Sequence, residues 1–354
     1  MKKLLFSFVV LPGALATAQV GINTEEPKAM LDISAKDNQR GDLRIQDVEM
    51  KEKTDWLLIW DEKDQMVKRT SLSDLKYDMT VDKGKINYIR SKHPDKADDI
   101  INKIKQCTPE NILFDRHFGD GKHDFVYCAT TVSEGGYNRT WLTLNLGAAY
   151  ADINNPDFDP TVSKIGTDAH NEAKTYGSLY QWQRASDGHE FRDSETTTEL
   201  ADTWTDTGDS AGNFIIGDFK WVDLNRGENA SDSNLLLWRP NGVNNPCPSG
   251  YHVPMLEEWE EFYKAVTGND LSFDSKTTHQ IFTQDKLPNL AAAGFRNYGD
   301  LPLQDERSHG FYWSSSSHGI QSLYAYYVNF SNDSSSMTSI YPATGYSVRC
   351  IKNN

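Results

Sequence analysis

The side chains with the widest chemical range in this chain are four cysteines: Cys107, Cys128, Cys247 and Cys350. A thiol can act as nucleophile, metal ligand or crosslink. None of the four has the C-x-x-C spacing of a zinc site. In an oxidising compartment an even count favours disulfides, and four cysteines allow three connectivities. The preferred pairing is Cys107–Cys128 with Cys247–Cys350. A crosslink closing a loop of roughly 100 residues contributes about 4–5 kcal/mol in the chain-entropy account. Hydrolytic chemistry has less support. Ser315 and His318 lie near each other in sequence, but no G-x-S-x-G elbow is present. The nine histidines are scattered, and none forms H-E-x-x-H. Acids are so plentiful that no facing pair of glycosidase carboxylates stands out. Asp152, Asn154, Asp157 and Asp159 gather hard oxygen ligands that would suit calcium, the one cofactor this chemistry points to. Their spacing is not that of an EF-hand, and solvated turns explain them more simply. Asp209-Ser210-Ala211 matches a short bacterial O-glycosylation pattern at Ser210.

Composition narrows the partners. The chain has 354 residues, a net charge of −15 and 38% hydrophobic residues. That length allows two or three modest domains with packed cores. An acidic chain is a poor match for nucleic acid, whose phosphates need a basic face, and for an anionic membrane surface. Lys2 and Lys3, an apolar run over residues 4–11 and the small residues Ala14, Ala16 and Ala18 read as a signal peptide over 1–18. The apolar run is too short to span a bilayer, and no other stretch reads as a membrane span. Export is therefore expected, to the cell surface, the outer membrane or the medium.

Elements must bring these groups together, and three segments are legible. Residues 19–75 read as a β-rich module, with strands at 56–61 and 66–69 forming a hairpin and 71–75 closing the unit. Residues 76–110 read as a helical connector. Ala97, Ile100, Ile101 and Ile104 share one face of a helix over 95–106. Residues 111–354 are rich in Gly, Asn, Ser and Trp. After Pro254 a helix places Leu256, Trp259, Phe262, Tyr263 and Val266 on one face and stops at Gly268. Glu257, Glu258, Glu260 and Glu261 are expected to solvate its other side. His252 reads as a packed, hydrogen-bonded residue, and Trp313 as core.

The third segment carries an ordered set of motifs: Trp141-Leu142-Thr143-Leu144-Asn145-Leu146; Tyr176-Gly177-Ser178-Leu179-Tyr180-Gln181-Trp182; Cys247-Pro248-Ser249-Gly250-Tyr251-His252-Val253-Pro254 with Glu258-Trp259; Ala293-Gly294-Phe295-Arg296; Tyr312-Trp313-Ser314; and Ser347-Val348-Arg349-Cys350. This order resembles the Fibrobacter succinogenes major paralogous domain. Met255 departs from the pattern, since that family usually has a Thr or Ser there to cap the helix. The segment 19–75, opening with V-G-I-x-T-x-x-P and then L-D-I, resembles an N-terminal module of exported surface proteins. The resemblance implies a C-type lectin-like α+β fold with small twisted antiparallel sheets, one or two helices and long loops, related to the formylglycine-generating enzyme branch. That branch's activity needs two neighbouring active-site cysteines, which the C-terminal part lacks, so no enzyme is expected.

In such a fold, ligands would meet the long loops and the strand face near the C-terminal hairpin. The candidates are Trp238, Arg239, Asn241, Arg296, Asn297, Tyr298, His318, Tyr324, Tyr326, Asn329, Asn332 and Asp333. Tyr and Trp supply rigid contact area, and Asn supplies adaptable hydrogen bonds. Tyr324, Tyr326, Val328 and Phe330 alternate with Ala325, Tyr327 and Asn329, so one of the two faces must be core. The expected function is a non-catalytic exported protein that binds a glycan or a protein. The alternative is a structural component of a surface appendage or envelope complex, docked through residues 19–75.

Overall fold

The computed structural model describes residues 20–22, 31–33, 55–63, 65–224, 234–271, 273, 280–299, 301–318 and 324–354. The expected signal peptide lies outside them. The chain divides into two units, Met1–Thr54 and Asp55–Asn354. In the first, Val20–Ile22 pairs in parallel with Leu31–Ile33. All other described elements belong to the second.

Trp56–Asp61 and Met66–Ser71 form the expected hairpin. Residues 71–75 do not close a unit there. Ser71 Oγ accepts the Asp74 N–H at 2.9 Å, a side-chain cap, and the helix Leu72–Thr80 follows. Asp82 caps a second helix, Lys83–Lys92, by accepting the Gly84 N–H at 2.7 Å. The third, Ala97–Ile104, buries the four apolar residues expected of it. All three pack in one core with Phe114, Val126, Ile153 and Phe158. The expected connector is therefore part of a packed body. Cys107–Cys128, with Cα atoms 5.7 Å apart, ties it to the strand Val126–Glu134.

The largest sheet has five strands in the order Tyr251–His252, Ile351–Lys352, Tyr137–Leu142, Val126–Glu134 and Ile112–Phe114. Ile351 pairs with Trp141, and Cys247–Cys350 (Cα–Cα 5.9 Å) clamps this closing strand across 103 residues. Both disulfides thus follow the preferred pairing. A second sheet is an antiparallel meander of His309–Ser317, Ala325–Ser331 and Ser335–Ile340. Its central strand has a core on each face. Ala325 and Tyr327 join Trp182, Trp313 and Tyr346; Val328 and Phe330 join Trp259, Phe262 and Tyr312. Trp313 is core, as expected.

The helix Leu256–Thr267 buries Trp259, Phe262 and Tyr263 and ends at Gly268, whose φ of 72° only glycine adopts cheaply. Met255 supplies no cap. Ser316 Oγ, from the meander, accepts the Leu256 N–H at 3.1 Å, and Glu258 Oε2 accepts the Met255 N–H at 2.9 Å. The expectation that all four glutamates face water fails at Glu258. It is buried, ion-paired to Arg139 at 2.7 Å and hydrogen-bonded to His252 at 2.8 Å. A helix start placed under a sheet needs a buried acceptor for its N–H groups, and Glu258 provides it.

Arg349 holds several of these distant motifs together in the fold. It is fully buried. Its Nε donates to Asn145 Oδ1 at 2.9 Å, and its Nη1 to the carbonyls of Leu142 and Pro288 at 2.9 and 3.0 Å. Asn145 Nδ2 in turn donates to the Tyr176 carbonyl and the Tyr312 hydroxyl. Burial pushes the Arg349 guanidinium down to about 10, since it has carbonyl and amide partners in place of a carboxylate. The molecule is a mixed α+β protein of small sheets and few helices. Among the described residues no helix is long and apolar enough to cross a membrane.

Candidate functional site

Two of the expected binding residues, Tyr298 and Tyr324, converge on a third ring, Tyr341. Tyr298 meets it edge-on at 5.7 Å, and Tyr324 lies 4.8 Å away. Phe219 approaches the same ring at 5.1 Å. The meander's register sets this geometry: Ala325 pairs with Ile340, so Tyr324 and Tyr341 flank the open end of the hairpin as cross-strand neighbours. The Tyr324 hydroxyl donates to the Tyr341 hydroxyl at 3.0 Å, which raises the Tyr324 pKa. Backbone bonds pin the other two. The Tyr298 carbonyl accepts the Gly217 N–H at 2.8 Å, and the Phe219 carbonyl accepts the Ala343 N–H at 3.3 Å. Phe219 and Tyr324 remain 41% and 38% exposed, so the cluster presents ring surface to solvent rather than filling a core. Lys220 Nζ lies 5.1 Å from the Phe219 ring centre, at its rim.

The other expected residues are dispersed. Trp238 is fully buried, its ring N–H donating to the Arg184 carbonyl and its backbone N–H to Gln183 Oε1. It is core, because a tryptophan whose two N–H donors both find buried partners has no reason to face water. Arg239 sits half-buried in the next turn, and Asn241, at φ 67°, is exposed beyond it. Arg296 is a clamp: its guanidinium stacks 4.3 Å over Phe214, and its Nη1 donates to Ser194 Oγ at 2.7 Å. Asn297 accepts the Gly299 N–H and shapes the turn that carries Tyr298. His318 and Tyr326 make a separate aromatic patch with Phe273, at 5.8 and 5.6 Å from its ring. Asn332 and Asp333 form the tight turn at the far end of the hairpin, a strand length of roughly 20 Å from Tyr324. Asn329 is half-buried mid-strand.

The calcium candidates spend their oxygens locally. Asp152 Oδ1 accepts both N–H groups of Asn154, Asp159 Oδ1 accepts the backbone N–H and hydroxyl of Thr161, and Asp157 pairs with Lys174 at 3.1 Å. Ser210 is buried, with its hydroxyl donating to the Glu199 carbonyl at 2.8 Å. An O-linked sugar has no room there in the folded chain.

Among the described residues, the ligand atoms closest to a metal-like cluster are those of Asp187, His189 and Glu190, within 4.8 Å of one another. Each is already committed. Asp187 Oδ2 accepts Arg184 Nε and Nη2 at 3.1 and 2.7 Å, and its Oδ1 accepts both N–H groups of His189. His189 Nε2 accepts the Gln181 N–H at 3.1 Å. Glu190 bonds His123 Nε2 at 2.8 Å and the Gly188 N–H at 3.0 Å. Burial alone would lower the His123 pKa, but the hydrogen bond and charge of Glu190, with Asp120, outweigh it and raise it to about 9. Burial pushes nearby Asp115 up to about 7 despite the His117 N–H it accepts. Burial likewise keeps the His189 ring neutral by lowering its pKa. The cluster is a satisfied structural network.

The sequence reading missed Phe219 and Tyr341. Tyr341 was findable, because it and Tyr324 stand equally far from the Asn332-Asp333 turn. Phe219 carried no such signal, as it reaches the face from a loop.

Fold and face together define a disulfide-stapled α+β protein with an exposed aromatic cluster. Residues 277–351 match a family described as a domain of unknown function (DUF8237). The match takes in the meander and the Arg349 motif. No curated protein and no solved structure matches the chain.

Proposed function

We propose that this is an exported, non-catalytic binding protein, a relative of the major paralogous domain with a C-type lectin-like form over residues 111–354, that holds a glycan against the Tyr298, Tyr324, Tyr341 and Phe219 rings. The observation that carries the reading is the exposed cluster itself. Four rings gathered from three separate chain segments, two of them exposed and Tyr298 anchored on the core, offer the C–H faces of a sugar a preformed platform. Ring faces carry negative quadrupole charge that attracts weakly positive C–H groups, and rigid aromatics lose little entropy on binding. Two disulfides support export. The reading invokes no catalytic residue and no cofactor.

A second reading, a component of an envelope or appendage complex, is favoured by the hairpin Trp56–Ser71. Trp56, Leu58 and Trp60 there are 50%, 74% and 59% exposed. One experiment separates the two. A glycan array and an envelope pull-down are run with the parent chain, Tyr341→Ala and Trp60→Ser. Under the glycan reading Tyr341→Ala loses array binding by about tenfold or more, or 1.4 kcal/mol, while Trp60→Ser keeps it. If the array is blank for all three and only Trp60→Ser releases a co-purifying complex, the second reading replaces the first.

A further inference from the structure

A concavity that shares no residue with the aromatic face lies where the helix Lys83–Lys92, the chain just after the strand Ile112–Phe114, and the turn Pro248-Ser249-Gly250 meet. Its volume is about 300 Å³, the lower end of the range for small-molecule sites. Lys85, Asp115, Arg116, Asn241, Ser249 and Tyr251 line it.

The cleft brings two cations together, and among the described residues neither Lys85 nor Arg116 has a carboxylate oxygen within the 4.0 Å of an ion pair. Lys85 Nζ lies 4.8 Å from the Phe114 ring centre, and burial lowers its pKa despite Asp82 and Asp115. Arg116 Nη1 donates to the Asn245 carbonyl at 3.0 Å, which fixes the guanidinium and leaves further donors for a ligand. Asp115 is 4% exposed and holds the His117 N–H at 2.9 Å on Oδ1. The opening is clear above Gly250, where an added Cβ would meet nothing within 4 Å. Asn241, in the left-handed region at φ 67°, and Ser249 add uncharged donors and acceptors at the rim.

Two cations face one buried carboxylate, so the cleft keeps a net positive charge of at least one, and an anion would match it. We propose that the cleft binds a hydroxylated carboxylate, the uronic-acid residue of an acidic glycan, with its carboxylate between Lys85 and Arg116 and its hydroxyls against Asp115, Asn241 and Ser249. A neutral sugar leaves the cleft's excess positive charge uncompensated. A phosphate dianion gives Asp115 no hydroxyl to accept from and is repelled by it. The aromatic-face reading is not needed for this site.

Calorimetric titration of the full chain with galacturonate, galactose and phosphate is the test. Galacturonate binds saturably and more weakly as salt rises; galactose and phosphate do not compete. Lys85→Met, which keeps an unbranched side chain and removes the charge over Phe114, weakens galacturonate by about tenfold, or 1.4 kcal/mol. Asn241→Gly removes the amide at a position whose backbone glycine adopts without strain, and weakens binding by about threefold. Tyr341→Ala leaves it unchanged, so the two sites fail separately. Absent binding of galacturonate, equal binding of phosphate, or a Lys85→Met protein of unchanged melting temperature that binds like the parent overturns the proposal.

Discussion

The buried network around Glu190 and the exposed cluster around Tyr341 are opposites in chemical promise. The first concentrates Asp187, His189, Glu190 and His123, the residue types from which metal sites and acid–base pairs are built. Each oxygen and ring nitrogen of the cluster that could take a ligand already has a partner in Arg184, Gln181, Gly188, His189 or His123. The second is built of four aromatic rings with Lys220 Nζ over one of them, and two of the rings are exposed. A dense set of titratable groups is thus not a site when it is satisfied from within, because a ligand would have to break charge-assisted bonds to enter. The exposed rings are held by ring contacts and one neutral hydroxyl bond, not by charge-assisted ones.

The contrast can be broken most forcefully at Glu190. Glu190→Ala leaves His123 and the Gly188 N–H buried without their acceptor, and is expected to cost about 3–5 kcal/mol in denaturant unfolding. A loss under 1 kcal/mol, or recovery of stability on adding a divalent cation, would mean that the network is a vacant site after all.

A smaller effect comes from pH. His123 has a folded pKa raised from 6.5 to about 9. Its contribution is full below the unfolded value and is lost as pH climbs through the folded one. Asp115, raised to about 7, binds its extra proton in the folded state below that pH, so it weakens the fold as pH rises from about 4 to 7 and then stops changing. His117 and His189, both lowered by burial, change stability only below about 6.5. Between pH 7 and 9 the network's response therefore belongs to His123, and unfolding free energy is expected to fall by roughly 1–2 kcal/mol. His123→Gln flattens that slope; a slope that persists in the variant assigns it to other groups.

The smallest effect sharpens the aromatic side. Tyr324→Phe removes one exposed hydroxyl bond and keeps the ring. Stability should shift by less than about 0.5 kcal/mol, and glycan affinity should stay within about threefold. A larger loss of affinity would show that the hydroxyl pair, not the ring faces, meets the ligand.

Elements with strong local patterns were legible in the sequence. The hairpin at 56–71, the helix face of Ala97, Ile100, Ile101 and Ile104, the glycine stop at Gly268 and the core role of Trp313 follow from periodicity, propensity and glycine's freedom at positive φ. The helices Leu72–Thr80 and Lys83–Lys92 were not, because their apolar faces are sparse and their stability comes from the shared core. Glu258 was misread for the same reason: a glutamate among glutamates looks solvated until a neighbouring sheet brings Arg139 and His252 to it. Trp238 looked like a ligand platform because residue type cannot tell an exposed indole from a buried one.

Sequence alone determined the chemistry on offer: four cysteines with three possible pairings, an acidic chain, and a wealth of aromatics. Tertiary structure decided which of those groups are free to act. It committed Asp187, His189 and Glu190 to one another, buried Ser210 and Trp238, and drew Tyr298, Tyr324, Tyr341 and Phe219 from three segments to one exposed face. Whether a side chain is satisfied depends on neighbours far away in the chain, and that information exists only once the strands have paired.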